Sequence, residues 1–136
     1  MEYFNTFGGN PVSCAVGLKV LEILERDKLL ANATRLGASL IARMTKLMEK
    51  HDRIGDVRGQ GLMLGIELVE DRKTKEPSAK RANQIIEVLR KRHFLIGKGG
   101  LYGNTLRIAP PMLVTESQID EALAHLDAGL TEVSVS

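Results

Sequence analysis

The sequence predicts an α+β fold: a small, mostly antiparallel sheet with helices packed on one face, preceded by a long N-terminal helical segment. Three observations carry this. Apolar residues recur every three or four positions through residues 28–50, 78–92 and 119–130, the period of helices that bury one stripe. Residues 62–69 alternate instead, with Leu62, Leu64, Ile66 and Leu68 on one face and Met63, Gly65, Glu67 and Val69 on the other, as a strand does. The order helix, helix, strand, helix, strand, strand, helix is that of an α+β layer pair.

Taken in order, Gly8-Gly9 breaks the chain, Asn10 is a good N-cap, and Pro11 suits the first helical position, where no donor is needed. The helix that follows, residues 12–24, is apolar on several sides through Val12, Val16, Leu18, Val20, Leu21 and Ile23. It needs more cover than one small domain supplies. Self-association is therefore expected, with Cys14 in the core. Residues 28–50 are cleanly amphipathic through Leu29, Ala33, Leu36, Leu40, Met44 and Leu47. Gly55, Gly59 and Gly61 then punctuate the chain before the strand at 62–69, which reads as central to its sheet. Residues 70–77, charged and ending in Pro77, form an exposed loop. A helix spans 78–92, a short strand 93–96, and a glycine-rich turn 97–103. A strand at 105–109 is stopped by Pro110-Pro111, which cannot donate to a ladder. Thr115 with Gln118 forms a capping box that opens the last helix.

Composition bounds the function. The 136 residues suit one compact domain. A net charge of +2, with both signs spread along the chain, gives no basic run of the kind that marks nucleic-acid binding. Two Tyr, three Phe and no Trp leave no stacking platform for single strands. The single cysteine excludes an internal disulfide and suits a reducing compartment. No segment has the length of apolar residues that a membrane span needs, and residues 1–5 lack the layout of a signal peptide. A cytoplasmic protein that binds neither nucleic acid nor membrane is the expectation.

Few residues invite chemistry. Thr6-Phe7-Gly8-Gly9-Asn10-Pro11 places a hydroxyl and freely oriented N–H groups at a helix start, an arrangement that can hold an anion or simply make a tight turn. Arg107 alternates with Leu106 and Ile108, which leaves it facing solvent or a cleft. Arg58, flanked by glycines, reads as structural more than substrate-touching. Asp56, Glu67 and Glu70 have no fixed mutual distance and read as a solvated face. His51, His93 and His125 are too scattered for a metal site. Gly59-Gln60-Gly61 and Gly97-Lys98-Gly99 are not dinucleotide fingerprints, because no helix follows in register.

Longer motifs go further. Asn5-Thr6-Phe7-Gly8-Gly9-Asn10-Pro11, followed by Val12-Ser13-Cys14-Ala15, resembles the segment of class-III aminotransferases that precedes their C-terminal domain. Residues 54–67, from Ile54-Gly55-Asp56-Val57-Arg58-Gly59 to Gly65-Ile66-Glu67, resemble the family's first small-domain strand region. Gly97-Lys98-Gly99-Gly100 and Leu106-Arg107-Ile108-Ala109-Pro110-Pro111-Met112 resemble its closing hairpin and substrate-side strand. Tyr3-Phe4-Asn5-Thr6 and Arg107-Ile108-Ala109-Pro110 look most like the alanine–glyoxylate aminotransferase branch, with the ethanolamine-phosphate phospho-lyase branch nearby. The resemblance covers essentially the whole chain.

The resemblance implies an enzyme family that uses pyridoxal 5'-phosphate to move an amino group from an amino acid to a 2-oxo acid. Residues 1–27 would be the phosphate-site loop and interdomain helix, and 28–136 the C-terminal small domain of the fold-type-I enzymes. Thr6 would offer its hydroxyl and N–H to the cofactor phosphate of the partner subunit in a dimer, with Phe7 beside it in the cofactor-binding loop. Arg107 would hold the substrate carboxylate, directly or through an acidic partner, since a planar guanidinium grips a carboxylate with two parallel bonds. No metal is implied. The family's cofactor-binding lysine lies on its large domain, so the chain is expected to be a C-terminal portion with no catalytic residue of its own. Alone it would bind cofactor weakly or not at all. Two rivals are a non-catalytic binding or regulatory module, and a chain that complements a separate large domain.

Overall fold

The computed structural model describes residues 4–135; residues 1–3, where the Tyr3 part of the N-terminal resemblance falls, and residue 136 lie outside them. Helix α1 (Pro11–Arg26) starts as expected: the Asn10 side chain accepts the Ser13 N–H at 3.0 Å, and Pro11 sits in the first turn. No α1 side chain is buried. Val12, Val16, Leu18, Val20 and Leu21 all face outward, because the helix packs against α2 (Leu29–Lys50) and stands away from the sheet. Cys14 is exposed rather than in the core for the same reason. Lys28, in the left-handed region at φ 51°, turns the chain from α1 into α2.

The sheet has four strands in the order β1-β2-β4-β3, all antiparallel: β1 (Ile54–Gln60), β2 (Met63–Leu68), β3 (Gly97–Gly99) and β4 (Thr105–Ile108). The alternating run places β2 centrally, as expected. Its Leu64, Ile66 and Leu68, with Leu106 of β4, are buried against Leu36, Leu40 and Met44 of α2. Helices α3 (Ala79–Lys91) and α4 (Glu116–Val135) complete the same layer through Ala82, Ile85, Leu89, Ile119, Leu123 and Leu126. Each of the Leu, Ile and Met side chains among them contributes about 1.5–3 kcal/mol by leaving water. The capping box forms: Thr115 N–H donates to Gln118 Oε1 at 2.9 Å and Gln118 N–H to Thr115 Oγ1 at 3.3 Å.

Two expectations fail. Residues 54–60 form a strand that the glycine punctuation hides from the residue pattern, although the family resemblance at 54–67 covers it. Only Ile54 and Val57 supply apolar alternation there, and a bulge between Ile54 and Asp56 shifts the register. Residues 93–96 are not a strand, because they finish α3. His93 takes φ 60°, its N–H donates to Arg90 O at 3.0 Å, and Phe94 N–H reaches Leu89 O at 2.9 Å. This is the paired-bond ending that stops a helix with a left-handed residue. The strand starts later, at Gly97, where pairing with Arg107 sets the register.

The far ends of α2 and α4 are tied by charge. Asp127 accepts Lys50 Nζ at 2.7 and 2.8 Å and lies 2.6 Å from the buried His51 Nε2. Lys50 first and His51 second hold the Asp127 carboxyl below its usual range. Arg72 donates to the carbonyls of Met48, His51 and Ile54, closing the C-terminal end of α2, where carbonyls lack partners.

Candidate substrate-binding face

One face of the sheet carries the helices, and the other is open. The register sets that open face in rows. Arg58, Gly65, Arg107 and Gly97 lie side by side across β1, β2, β4 and β3. The next row is Asp56, Glu67, Thr105 and Gly99. Arg107 thus has a glycine on each neighbouring strand, so no side chain crowds it from either side. Its guanidinium leans over β3, where a Cβ on Gly97 would lie 3.7 Å from Nε and Nη2. Among the described residues Arg107 has no ion pair and no side-chain hydrogen bond. An exposed cation with all five donors unspent is ready to take a carboxylate side-on.

Arg58 is different. Its Nη1 donates to Asp56 Oδ2 at 2.6 Å and to Glu67 Oε2 at 2.5 Å. The Asp56 bond first, then that to Glu67, pushes the Arg58 pKa up. Glu67 is steadied from its other side by Asn104 Nδ2 at 3.5 Å, and Asn104, only 2% exposed, also donates to Leu68 O. Asp56 and Glu67, read from sequence as unconnected surface carboxylates, are brought together by one guanidinium. Glu70 is not among them: it turns to Ser78 and Arg81 at the start of α3, which hold its carboxyl below the usual range. The signal that could have found this cluster is the glycine turn around Gly61. A hairpin there puts Arg58 opposite Gly65 and Asp56 opposite Glu67.

Thr6 and Phe7 lie apart from this face, in the exposed loop before α1. The loop's bonds are local: Asn5 Oδ1 accepts the N–H groups of Phe7 and Gly8 at 3.1 and 3.0 Å, and Asn10 Nδ2 donates to Phe7 O at 2.7 Å. The Thr6 hydroxyl makes no hydrogen bond among the described residues. No acidic residue occurs between Asn5 and Leu21, so the first turn of α1 carries no charge that opposes an anion at its start. The donor set therefore fits a phosphate through Thr6, while the Phe7 N–H is already engaged. A cavity of about 500 Å³ opens at the end of β4, lined by Arg107, Ile108, Pro110, Phe94, Ile96 and Val114 among others. Among the described residues no three His, Cys, Asp or Glu side chains group as for a metal, and no helix is long and apolar enough to cross a membrane.

Comparison with known proteins bears on the whole arrangement. The family model described as aminotransferase class-III matches residues 1–130. Alanine–glyoxylate aminotransferase 2 homolog 2, mitochondrial, of Arabidopsis thaliana is 47% identical over 132 residues, 97% of this chain and 28% of that protein. Ethanolamine-phosphate phospho-lyase homolog 1 of Caenorhabditis elegans is 42% identical over 95% of the chain and 28% of its own length. Among solved structures, a Bacillus anthracis aminotransferase superposes with a TM-score of 0.90 at 34% identity, over 97% of this chain and 30% of that one. An Arthrobacter phospholyase in complex with phosphoethanolamine gives 0.89 at 35% identity, over 95% and 31%. The chain thus spans under a third of the length of the relatives it matches. With the matched model covering all but its last residues, the chain belongs to the class-III aminotransferase family.

Proposed function

We propose that these 136 residues are the small-domain part of a pyridoxal-phosphate-dependent transaminase, which moves an amino group from an amino acid to a 2-oxo acid, and that alone they transfer nothing. The observation that carries the reading is Arg107: an unpaired guanidinium, bare of neighbours on both sides, on the open face of the sheet. In this family the cofactor supplies the electron sink for the reaction. The chain's own residues do the holding. Arg107 grips the carboxylate common to amino-acid and 2-oxo-acid substrates, fixing their orientation before chemistry. Thr6, on residues 1–27 and remote in bonding from the sheet, offers its hydroxyl to the cofactor phosphate across a dimer interface.

The exposed apolar surface of α1 supports that dimer, since a contiguous unpartnered patch favours association. Against catalysis by these residues alone stands the placement of every lysine. All are exposed, and none sits on the open face beside Arg107. A lysine that holds an aldehyde needs a desolvated or cation-crowded setting to become nucleophilic.

Thr6→Val tests the phosphate contact. In the holoenzyme containing these residues, it is expected to weaken cofactor retention about tenfold, the worth of one hydrogen bond to a charged group. Equilibrium dialysis reads the loss, and unchanged retention would remove Thr6 from the site.

A further inference from the structure

Among the described residues the open face of the strands carries four charged side chains: Arg107 on β4, Asp56 and Arg58 on β1, and Glu67 on β2 between them, two residues beyond Gly65. The trio sums to one negative charge, two carboxylates against one guanidinium. It is also fixed in place, with Glu67 held by both Arg58 and the buried Asn104. Two strand spacings, about 10 Å between backbones, separate the Arg58 and Arg107 positions, with only Gly65 between them. A side chain at Gly65 would crowd Thr105, whose Cγ2 lies 3.0 Å from where the Cβ would sit. The Arg107 guanidinium leans over β3, so an acid that it holds and that extends back over Gly65 points its far end toward a preset negative cluster.

We infer that Asp56, Arg58 and Glu67 act together as a selectivity element: they favour monoanionic acids at Arg107 and disfavour those with a second acid group. This deepens the proposed function and rests on Arg107 as the carboxylate holder. The physical basis is unscreened repulsion at short range. A second carboxylate about 5–6 Å beyond the first approaches the trio closely enough for a several-fold penalty at the dielectric of a half-exposed site.

The test uses the 136-residue chain at low ionic strength, following the Arg107 side-chain Nε–H by NMR during titration with propionate and with succinate. Glu67→Gln, which keeps the acceptor for Asn104, is expected to raise the succinate-to-propionate affinity ratio about three- to tenfold over wild type. Asp56→Asn, at an exposed site, should do the same should Glu67→Gln fold poorly. The difference should collapse near 0.5 M salt, where the screening length falls to about 4 Å. Asp71→Asn removes the same charge from a loop off this face, where the Asp71 carboxylate accepts the Lys73 and Thr74 N–H groups, and sets the control. A ratio that moves no further than this control overturns the inference while leaving Arg107 intact. So does a wild-type preference for succinate that Arg58→Met abolishes, because Arg58 would then be a second acid-binding group. An Arg107 signal that responds to neither acid overturns both the inference and the reading beneath it.

Discussion

Arg107→Gln in the holoenzyme is expected to lower kcat/KM for 2-oxo acids about 10²–10³-fold, the usual cost of removing one partner from a desolvated, charge-assisted pair. The loss should fall mainly on KM, because the residue holds substrate and takes no part in proton movement. Arg107→Lys restores charge without the planar fork, so it should recover only part of the loss. A control separates binding from misfolding: an amine donor that lacks a carboxylate has nothing for Arg107 to hold, and its reaction should be nearly unaffected. Equal losses with the 2-oxo acid and with this amine, each followed in its own half-reaction, would show that Arg107 supports the fold instead. Its environment argues against that. It is exposed, has no ion pair among the described residues, and sits between two glycines.

The second large effect is on stability. Gly37 lies buried on α2 where that helix crosses the β1–β2 turn, and a Cβ there would sit 2.1 Å from the Gly61 carbonyl oxygen and 2.7 Å from its Cα. The obstacle is backbone, which cannot swing aside as a side chain can. Gly61 itself is in the left-handed region at φ 54°, so the turn has little freedom to retreat. Gly37→Ala should therefore cost about 2–3 kcal/mol despite a helix-propensity gain of about 1 kcal/mol. Gly17→Ala is the matched contrast. It is on α1 with nothing within 4 Å of the added carbon, so only the propensity term remains, and stability should rise by up to about 1 kcal/mol. Urea unfolding with an unchanged m-value checks both. Similar midpoints for Gly37→Ala and wild type would mean that α2 does not pack on this turn as described.

Much of this architecture is legible in the sequence, for reasons that differ by element. β2 announces itself through strict alternation, because one of its faces is buried under three helices. α2, α3 and α4 do so through a stripe, and the Asn10 and Thr115 caps through side chains that can do little else at those positions. β1 was hidden because its useful pattern is negative. Gly59 and Gly61 serve a turn, and its outward residues, Asp56 and Arg58, are exposed and polar on the open face. β3 begins four residues beyond the point its pattern suggests, because His93 and Phe94 resemble strand residues but are spent on ending α3. Cys14 departs from the burial that its apolar neighbours on α1 imply, because that surface is uncovered within this chain.

The candidate site divides in the same way. The alternation with Leu106 and Ile108 makes the outward placement of Arg107 legible, and the glycine-rich loop the exposure of Thr6, while the roles proposed for both come from the family resemblance. The joining of Asp56, Arg58 and Glu67 was not, since it depends on a register that only strand pairing supplies. The glycines flanking Arg107 were visible as residues but not as its neighbours.

Under the proposed function these residues grip anions yet offer no amine to capture the cofactor's aldehyde. Incubating the 136-residue chain with one equivalent of pyridoxal 5'-phosphate, reducing with borohydride and mapping the adduct by mass spectrometry asks this directly. Sparse, substoichiometric labelling scattered over exposed lysines such as Lys19, Lys46 and Lys91 is the expected result; one lysine carrying a full equivalent would contradict it.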